Sequence, residues 1–335
     1  MNVGIIGTAD IAVSALVPAI EASDHTVGAI ASRDADRAVA VADELDVPTA
    51  YGSYEALLAD DAIDAVYNPL PNALHAEWTS RAIDAGKPVL VEKPFGVDRA
   101  QAARIIAKAR EHEVSVMEAF MYRFHPRTER AIEIAREELT DVHTVSSEFS
   151  FSLPEGRDDI RLDPSLAGGS VMDVGCYAVS ATRQFLGEPD RVNAITVDRR
   201  DAGVDTEMAA ILSYEDGSVG RIASGFDSPL TQRYRVAAAN GWLEVRSAFD
   251  APADAVLSIE YEIDGERSSE RFDPVDQYRL QVEHFADVVA DRATPRIDAA
   301  ETLGNMAVVD AIYRSATRDG PAPVERATNR DSSSE

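Results

Sequence analysis

Val3-Gly4-Ile5-Ile6-Gly7 opens the stretch of sequence that decides the fold, and Thr8-Ala9-Asp10-Ile11-Ala12 completes it. The first five residues have the unbroken apolar character of a buried parallel strand. Gly7 permits a tight turn, and Ala9 and Ala12 are small enough for a backbone ligand and for close helix packing. The helix that follows would offer free N–H groups to a pyrophosphate. We therefore predict a dinucleotide-binding turn; a plain strand–helix turn is the alternative. The predicted cofactor contacts in this turn are Gly7, Thr8, Ala9, Asp10 and Ile11.

The same alternation of apolar runs and helical patterns continues to about residue 120. Further strands are predicted at Thr26–Ala31, Ala65–Tyr67, Val89–Glu92 and Val114–Met117, with helices between them. Regular strand–helix alternation is typical of a doubly wound parallel sheet. We therefore predict an α/β dinucleotide-binding domain of the Rossmann type over residues 1–122.

The pattern changes after residue 125. β-Branched and alternating stretches, separated by turn signals such as Asn240-Gly241, predict a mostly antiparallel sheet of six or so strands. Two helical patterns follow, at Gln277–Ala290 and Ala299–Ala316. We predict an α+β substrate-binding and dimerisation domain with an open sheet over residues 123–320, and a flexible tail over 321–335.

Composition excludes several classes of function. Asp and Glu number 59 against 32 Lys and Arg, so the formal net charge is −27, and the lysines are only Lys87, Lys93 and Lys108. Such a negative field repels nucleic acid and anionic lipid, and it suits a protein that works in concentrated salt. We therefore expect a halophilic protein with no nucleic-acid partner.

Other functions are excluded by residue types and spacing. The one cysteine, Cys176, excludes an internal disulfide, and the histidines lack metal-ligand spacing, so no metal is expected. No apolar run is long enough to cross a membrane, and the first residues do not resemble a signal peptide. We expect a cytoplasmic protein without a membrane partner.

The end of the second predicted strand bears on the choice of cofactor. An enzyme that uses NAD usually has an acidic residue here, which binds the ribose 2′-hydroxyl. This chain has Ser32 and Arg33, and Arg37 follows one helical turn later. A hydroxyl and two guanidinium groups suit a 2′-phosphate, so NADP is predicted, with NAD as the alternative. Helix capping by Ser32 or Asp34, with Arg33 solvated, is the structural alternative.

Longer motifs carry a family resemblance across nearly the whole chain. The most specific is Glu92-Lys93-Pro94, which ends Gly86–Pro94. The others are Tyr67–Trp78, Glu118–Pro126, Gly168–Tyr177 and Asn305–Tyr313. With these motifs the chain resembles the glucose–fructose oxidoreductase / inositol dehydrogenase / rhizopine catabolism (Gfo/Idh/MocA) family. It is most similar to the branch with NADP-dependent D-xylose dehydrogenases and dimeric dihydrodiol dehydrogenases, because inositol dehydrogenases usually have His where this chain has Tyr177.

The resemblance implies roles for individual residues. Tyr177 would be the acid/base, and Lys93 would hydrogen-bond the substrate oxygen and lower the phenol pKa from about 10. Asp173, one helical turn before Tyr177, would orient the substrate. A core tyrosine, a solvated loop lysine and a helix cap are the respective structural alternatives. The expected cofactor neighbours are Leu70, His75, Glu92 and Lys93, and the expected substrate neighbours are Arg123, Phe124, Asp173 and Tyr177.

These features together predict an NADP-dependent oxidoreductase that acts on a small sugar or polyol. Oxidation of an aldose such as D-xylose to its lactone is the favoured reaction. A dihydrodiol dehydrogenase or keto-sugar reductase is an alternative, and so is a catalytically silent NADP-binding sensor. The exposed face of the predicted open sheet needs cover, so a homodimer or a dimer of dimers is expected.

Overall fold

The chain folds into two compact units, described here by a computed structural model that covers residues 1–154, 156 and 159–325. The first unit comprises Met1–Met121 and Asp276–Thr302, and the second comprises Tyr122–Val275 and the chain from Leu303 onward. The sequence prediction assigns residues 276–302 to the second domain, whereas in the structure they belong to the first unit. Periodicity alone identifies a helix here but does not indicate which sheet it covers.

A six-stranded parallel sheet forms the centre of the first unit, which confirms the predicted doubly wound domain. Its order is β3-β2-β1-β4-β5-β6. All residues of β4 and β5 are buried, as expected when helices cover both faces of a parallel sheet. The strands are β1 (Asn2–Ile6), β2 (Thr26–Ala31), β3 (Ala50–Tyr51), β4 (Ala65–Asn68), β5 (Val89–Glu92) and β6 (Val116–Ala119).

The first helix of this unit begins at Asp10 and has an irregular turn near its start. Ala12–Leu16 is π-helical, and α1 (Val17–Glu21) continues it. Pro18 near the start of α1 has no N–H to donate to the preceding turn, so a regular α-helical ladder cannot form there. The remaining helices of the unit are α2 (Ala35–Glu44), α3 (Tyr54–Leu58), α4 (Asn72–Asp84), α5 (Arg99–Glu111) and α8 (Gln277–Val289).

The second unit is built on a nine-stranded sheet with the order β14-β13-β12-β11-β7-β10-β9-β8-β15. Every neighbouring pair is antiparallel except β7 and β10, which confirms the mostly antiparallel sheet. The strands are β7 (Val142–Ser152), β8 (Arg191–Val197), β9 (Glu207–Ser213), β10 (Val219–Gly225), β11 (Asp227–Ala238), β12 (Gly241–Arg246), β13 (Leu257–Ile263), β14 (Glu266–Phe272) and β15 (Ala322–Pro323).

The last strand lies in the stretch that was predicted to be a flexible tail. Ala322 and Pro323 pair with Val192 and Arg191 of β8, and the N–H of Val324 donates to Asp190 O at 2.9 Å. A strand of two residues is too short to leave a periodic pattern in the sequence. Residues 326–335 of the predicted tail lie outside the described residues.

The two faces of this sheet have different surroundings. Along β9 buried and exposed residues alternate, and α7 (Cys176–Leu186) packs against β7 and β10 on the inner side. α6 (Pro126–Glu137) packs against β12 and β13, and α9 (Ala299–Arg318) crosses the boundary at Leu303. Short 3₁₀ helices are found at Met121–Phe124, Ile160–Leu162 and Pro164–Leu166, and a π-helical turn at Val171–Gly175 leads into α7.

Candidate active site

The turn after β1 has the geometry of a dinucleotide-binding turn. Gly7 has φ +115°, and a Cβ added there would lie 3.0 Å from Leu70 Cδ2. A side chain at this position would therefore be strained and crowded. The N–H of Gly7 donates to Ala31 O at 2.8 Å, which joins the turn to β2. The helix that follows begins at Asp10, and among the described residues the N–H groups of Asp10 and Ile11 have no hydrogen-bond acceptor, so this positive end can receive an anion.

The residues predicted to bind a 2′-phosphate lie beside this turn. Arg37 Nε donates to Thr8 Oγ1 at 2.7 Å, and its Nη2 donates to Thr8 O at 3.2 Å. The structure thus brings together Thr8 of the predicted pyrophosphate turn and Arg37 of α2. Arg33 is exposed and has no hydrogen-bonding or ion-pair partner among the described residues.

The helix cap, which was the structural alternative for the residues after β2, is also present. Asp34 is the N-cap of α2 and accepts from the N–H of Arg37 at 3.1 Å. Ser32 is buried, and its Oγ accepts from the N–H of Asp34 at 3.2 Å. Asp34 therefore caps the helix, while the guanidinium groups of Arg33 and Arg37 are not used in capping.

Lys93 follows β5 in a loop that buried carboxylates hold in place. Glu92 Oε1 accepts from Tyr67 Oη at 2.7 Å, and burial, reinforced by Glu92, raises the pKa of Tyr67 well above its usual value. The fully buried Glu118 accepts from the N–H of Phe95 at 2.9 Å and from Thr302 Oγ1 at 2.9 Å. The backbone on either side of Lys93 is thereby fixed to β4, β6 and α9.

The other two lysines have structural partners. Lys87 is buried, and its Nζ donates to Asp60 O and Ile63 O, each at 2.7 Å. Lys108 Nζ donates to Ser80 Oγ at 2.8 Å and to Asp84 Oδ2 at 2.7 Å. Lys93 is half-buried and follows the carboxyl end of a parallel strand, the edge where open α/β sheets bind their ligands.

His75 joins two of the predicted cofactor neighbours. Its Nδ1 lies 2.7 Å from Pro94 O, and its Nε2 lies 2.6 Å from Leu70 O. Burial lowers the pKa of His75 to about 4 although both carbonyls favour the charged ring, and the positive charge of Lys93 acts in the same direction as burial. A neutral ring has one N–H, so it donates to one of these carbonyls at a time. His75 therefore links the loop of Lys93 to the turn at Leu70.

The remaining predicted site residues lie in the second unit. Tyr177 is on α7, and its ring centroid is 5.5 Å from those of Phe149 and Phe249 and 5.9 Å from that of Tyr122. Asp173 precedes it in the π-helical turn and is half-buried. Both residues therefore lie in the first two turns of one continuous helix.

Arg123 and Phe124, the other expected substrate neighbours, are both buried in the second unit. The first unit brings together the turn at Gly7, the cations after β2 and the loop of Lys93. Glu118 belongs to a motif quoted for the family resemblance, but the sequence did not indicate its role in holding Phe95. No group of three or more His, Cys, Asp or Glu within the described ranges is arranged to hold a metal ion. None of the helices described is both long and apolar enough to cross a membrane.

Comparisons with known proteins agree with this geometry. The family model described as "Oxidoreductase family, NAD-binding Rossmann fold" matches residues 1–120, and the GFO/IDH/MocA C-terminal domain matches residues 132–244. The chain belongs to the GFO/IDH/MocA oxidoreductase family. This confirms the resemblance stated from the sequence. The family's dinucleotide site fits the residues present, since Gly7 leaves room beside Leu70 and the N–H groups at the adjoining helix start have no acceptor among the described residues.

Three known proteins show how far the likeness extends. D-xylose 1-dehydrogenase (NADP(+)) 2 of Haloferax volcanii is 55% identical over 94% of this chain and 97% of its own. Trans-1,2-dihydrobenzene-1,2-diol dehydrogenase of Sus scrofa is 32% identical over 71% of each chain. A 3-ketoreductase from Actinomadura kijaniata, solved with NADP and TDP-benzene, is 34% identical with a TM-score of 0.88 over 94% of this chain and 97% of its own.

Proposed function

We propose that this protein is an NADP-dependent sugar dehydrogenase that oxidises an aldose such as D-xylose at its anomeric carbon to the lactone. The observation that carries the proposal is the 55% identity to a D-xylose 1-dehydrogenase along 94% of the chain. In this reaction the C1–H bond breaks as a hydride leaves, the hydroxyl O–H bond breaks as a proton leaves, and the C1–O bond becomes a carbonyl. Bound NADP supplies the hydride acceptor.

Three side chains would do the protein's share of this chemistry. Tyr177 accepts the proton of the sugar hydroxyl, and Asp173 orients the neighbouring hydroxyls. Lys93 donates a hydrogen bond to the substrate oxygen, and its charge favours the phenolate form of the base. The fixed loop around Lys93 supports this assignment: Glu92 accepts from the backbone N–H of Lys93 at 3.3 Å and Glu118 from that of Phe95 at 2.9 Å, so the backbone that carries the lysine is held in place.

Substitution of the two central residues tests the assignment. We expect Tyr177→Phe and Lys93→Met each to lower kcat by about 100-fold to 10,000-fold while the dissociation constant for NADP stays close to that of the wild type. The double variant should lose little more than either single variant, because groups that act on one proton transfer are not additive. Lys108→Met, which removes a lysine paired with Asp84, is the matched control. Unchanged rates in the two site variants would reject the assignment, whereas binding of NADP by a wild type that turns over no substrate would favour the silent sensor.

The NADP preference rests on Ser32, Arg33 and Arg37. We expect Arg33→Ala and Arg37→Ala to weaken NADP binding by about tenfold or more, since each removes a charge-assisted bond to the 2′-phosphate. Binding of NAD should change little in both variants. Titration of each variant with both cofactors measures this directly, and equal losses for NADP and NAD would exclude a 2′-phosphate site here.

A keto-sugar reductase is the second candidate, because the solved 3-ketoreductase matches 94% of this chain. The two candidates differ in substrate and not in the residues used. Assays in both directions separate them. Pentoses, hexoses and dihydrodiols are tested for oxidation with NADP, and keto sugars are tested for reduction with its reduced form. Turnover restricted to keto sugars would replace the proposed substrate and keep the proposed site.

We also propose that a second copy of the chain covers the exposed face of the nine-stranded sheet. This face carries Ile195, which is 69% exposed, and Ile211, which is 44% exposed. The same face carries Arg221 and two ion pairs, Arg233 with Glu148 at 3.2 Å and Arg235 with Glu244 at 3.1 Å. It is therefore close to neutral in a chain of net charge −27, and two copies would repel each other less there than elsewhere.

Substitution on that face tests the homodimer. Ile195→Asp with Ile211→Asp should shift the mass measured by light scattering from dimer to monomer. Val39→Asp, at a residue of α2 that is 50% exposed, is the matched control and should leave the mass unchanged. A wild-type chain that is monomeric at micromolar concentration would overturn the proposal.

A cytoplasmic location in a salt-rich cell completes the proposal. The net charge of −27 requires screening to keep the fold compact. Thermal unfolding followed in increasing KCl should show a rising midpoint, and a midpoint independent of salt would contradict the proposed environment.

A further inference from the structure

The helix that carries Asp173 and Tyr177 does not cap its own start. Ser170 is at the N-cap position, and its side chain makes no capping hydrogen bond. A residue distant in sequence, Asp205, takes this role. Its Oδ2 accepts from the N–H of Val171 and from Ser170 Oγ, both at 2.8 Å, and its backbone oxygen accepts from the N–H of Ser170 at 2.8 Å.

Asp205 also connects this helix start to other elements of the second unit. It lies just before β9 and is only 8% exposed. Its Oδ1 accepts from Tyr313 Oη of α9 at 2.8 Å. Ser170 Oγ is also 2.9 Å from Ser224 Oγ of β10. One carboxylate therefore fixes the first turn of the helix to the sheet and to a second helix.

The sequence of the turn fits around this carboxylate. Gly169 has φ +117°, and a Cβ there would lie 2.3 Å from Asp205 Oδ1. The carbonyl of Gly169 in turn accepts from the N–H of Asp173 at 3.0 Å. The peptide group between Gly169 and Ser170 thus links the two aspartates, because its N–H donates to Asp205 and its carbonyl accepts from Asp173. Tyr177 follows one helical turn later.

We propose that Asp205 is a positioning residue of the dehydrogenase reaction, which holds Asp173 and Tyr177 in place by fixing the first turn of their helix. This inference rests on the proposed function of those two residues. An acidic residue suits the position for two reasons. Its two oxygens accept three hydrogen bonds here, and its negative charge faces the positive end of the helix.

Asparagine at position 205 would lose both properties. The amide has one acceptor oxygen, so its NH₂ group would face the Tyr313 hydroxyl or the donors of Ser170 and Val171. The side chain keeps its size, so Asp205→Asn changes hydrogen bonding and charge without leaving a cavity. We expect the first helical turn to loosen and Tyr177 to shift, and a displacement of about 1 Å can lower a rate by about 100-fold.

The test compares Asp205→Asn in two backgrounds. In the wild-type background we expect kcat to fall by about 10-fold to 100-fold, while the dissociation constant for NADP changes less than about twofold. In the Tyr177→Phe background the same substitution should leave the residual kcat nearly unchanged, because the residue through which it acts is already gone. The loss of thermal stability should be equal in both backgrounds.

Two further variants keep the test decisive. Tyr313→Phe removes the donor to Oδ1 but leaves the contacts to Ser170 and Val171, so it should lower stability and leave kcat near the wild-type value. If Asp205→Asn does not fold, Ser170→Ala removes only the hydroxyl donor and should lower kcat in the wild-type background alone. The inference would be overturned if Asp205→Asn lowered kcat by the same factor in both backgrounds. It would also be overturned if Asp205→Asn left kcat unchanged in the wild-type background. A Tyr177→Phe variant with full activity would reject the proposed function instead.

Discussion

Two helices of this chain have the same unusual turn near their start, but the N–H groups at the two starts have different surroundings. A π-helical turn lies at Ala12–Leu16 in one and at Val171–Gly175 in the other, just inside helix starts at Asp10 and Ser170. In the second unit the carboxylate of Asp205 occupies the positive end. In the first unit the N–H groups of Asp10 and Ile11, at the corresponding end, have no hydrogen-bond acceptor among the described residues.

The difference separates two uses of one physical feature. A positive helix end attracts an anion, whether that anion is a ligand or part of the protein. The helix after Gly7 keeps this end open, which suits a site for an exchangeable pyrophosphate. The helix of Tyr177 has it filled by the protein's own carboxylate, which suits a rigid support for side chains that must keep one position.

Filling the open end should have the largest effect. An Ala9→Asp variant would place a carboxylate next to the first turn and would repel the pyrophosphate. We expect NADP affinity to fall by at least about 100-fold, or about 3 kcal/mol. Titration by quenching of protein fluorescence measures it. Ala9→Asn, of equal size and no charge, is the control, and an equal loss in both variants would show that crowding and not charge is responsible.

Crowding the filled end should have the next largest effect. Gly169 and Gly187 both have positive φ, so alanine is strained at either. A Cβ at Gly169 would meet Asp205 Oδ1, whereas a Cβ at Gly187, at the other end of the same helix, has no atom within 4 Å. We expect Gly169→Ala to lower the free energy of unfolding by about 2 kcal/mol more than Gly187→Ala does. Denaturant unfolding of both variants checks this, and equal losses would mean that the carboxylate moves aside without cost.

The filled end should also titrate, with a smaller effect. Burial raises the pKa of Asp205, against the opposing effect of its hydrogen bonds. The folded protein therefore binds this proton more strongly than the unfolded chain, so the contribution to stability is present below the usual Asp pKa and is lost as the pH rises through the raised value. The free energy of unfolding of the wild type relative to Asp205→Asn should increase as the pH is lowered toward about 4. A difference that is independent of pH would contradict the raised pKa.

The sequence predicted the open end better than the filled one. The turn at Gly7 follows an apolar strand directly, so its geometry depends on neighbouring residues that a pattern can identify. Asp205 and Ser170 are far apart in the chain, and an acidic residue among 59 gives no local signal that it is buried. No role was predicted for Glu118, although it begins the motif Glu118–Pro126, because its partners Phe95 and Thr302 are also distant in the chain.

Strands were likewise predicted only where the local sequence has an apolar or alternating pattern. β4 and β5 are wholly buried and were predicted from their apolar runs. The antiparallel sheet has nine strands where six or so were expected, and β14 (Glu266–Phe272) shows why. Five of its residues are exposed and none is buried, so it has no alternation of apolar and polar side chains, and only pairing with β13 makes it a strand.

The scarcity of lysine makes the loop after β5 chemically addressable. Lys87 is buried against two carbonyls, whereas Lys93 and Lys108 are half-buried, so an acylating reagent should react at Lys93 and Lys108 before it reacts at Lys87. An arginine-specific protease should release residues 82–99 as one peptide, which contains Lys93 and the buried Lys87 but not Lys108. The mass of that single peptide, with and without NADP, would read out how far the bound dinucleotide shields the amine.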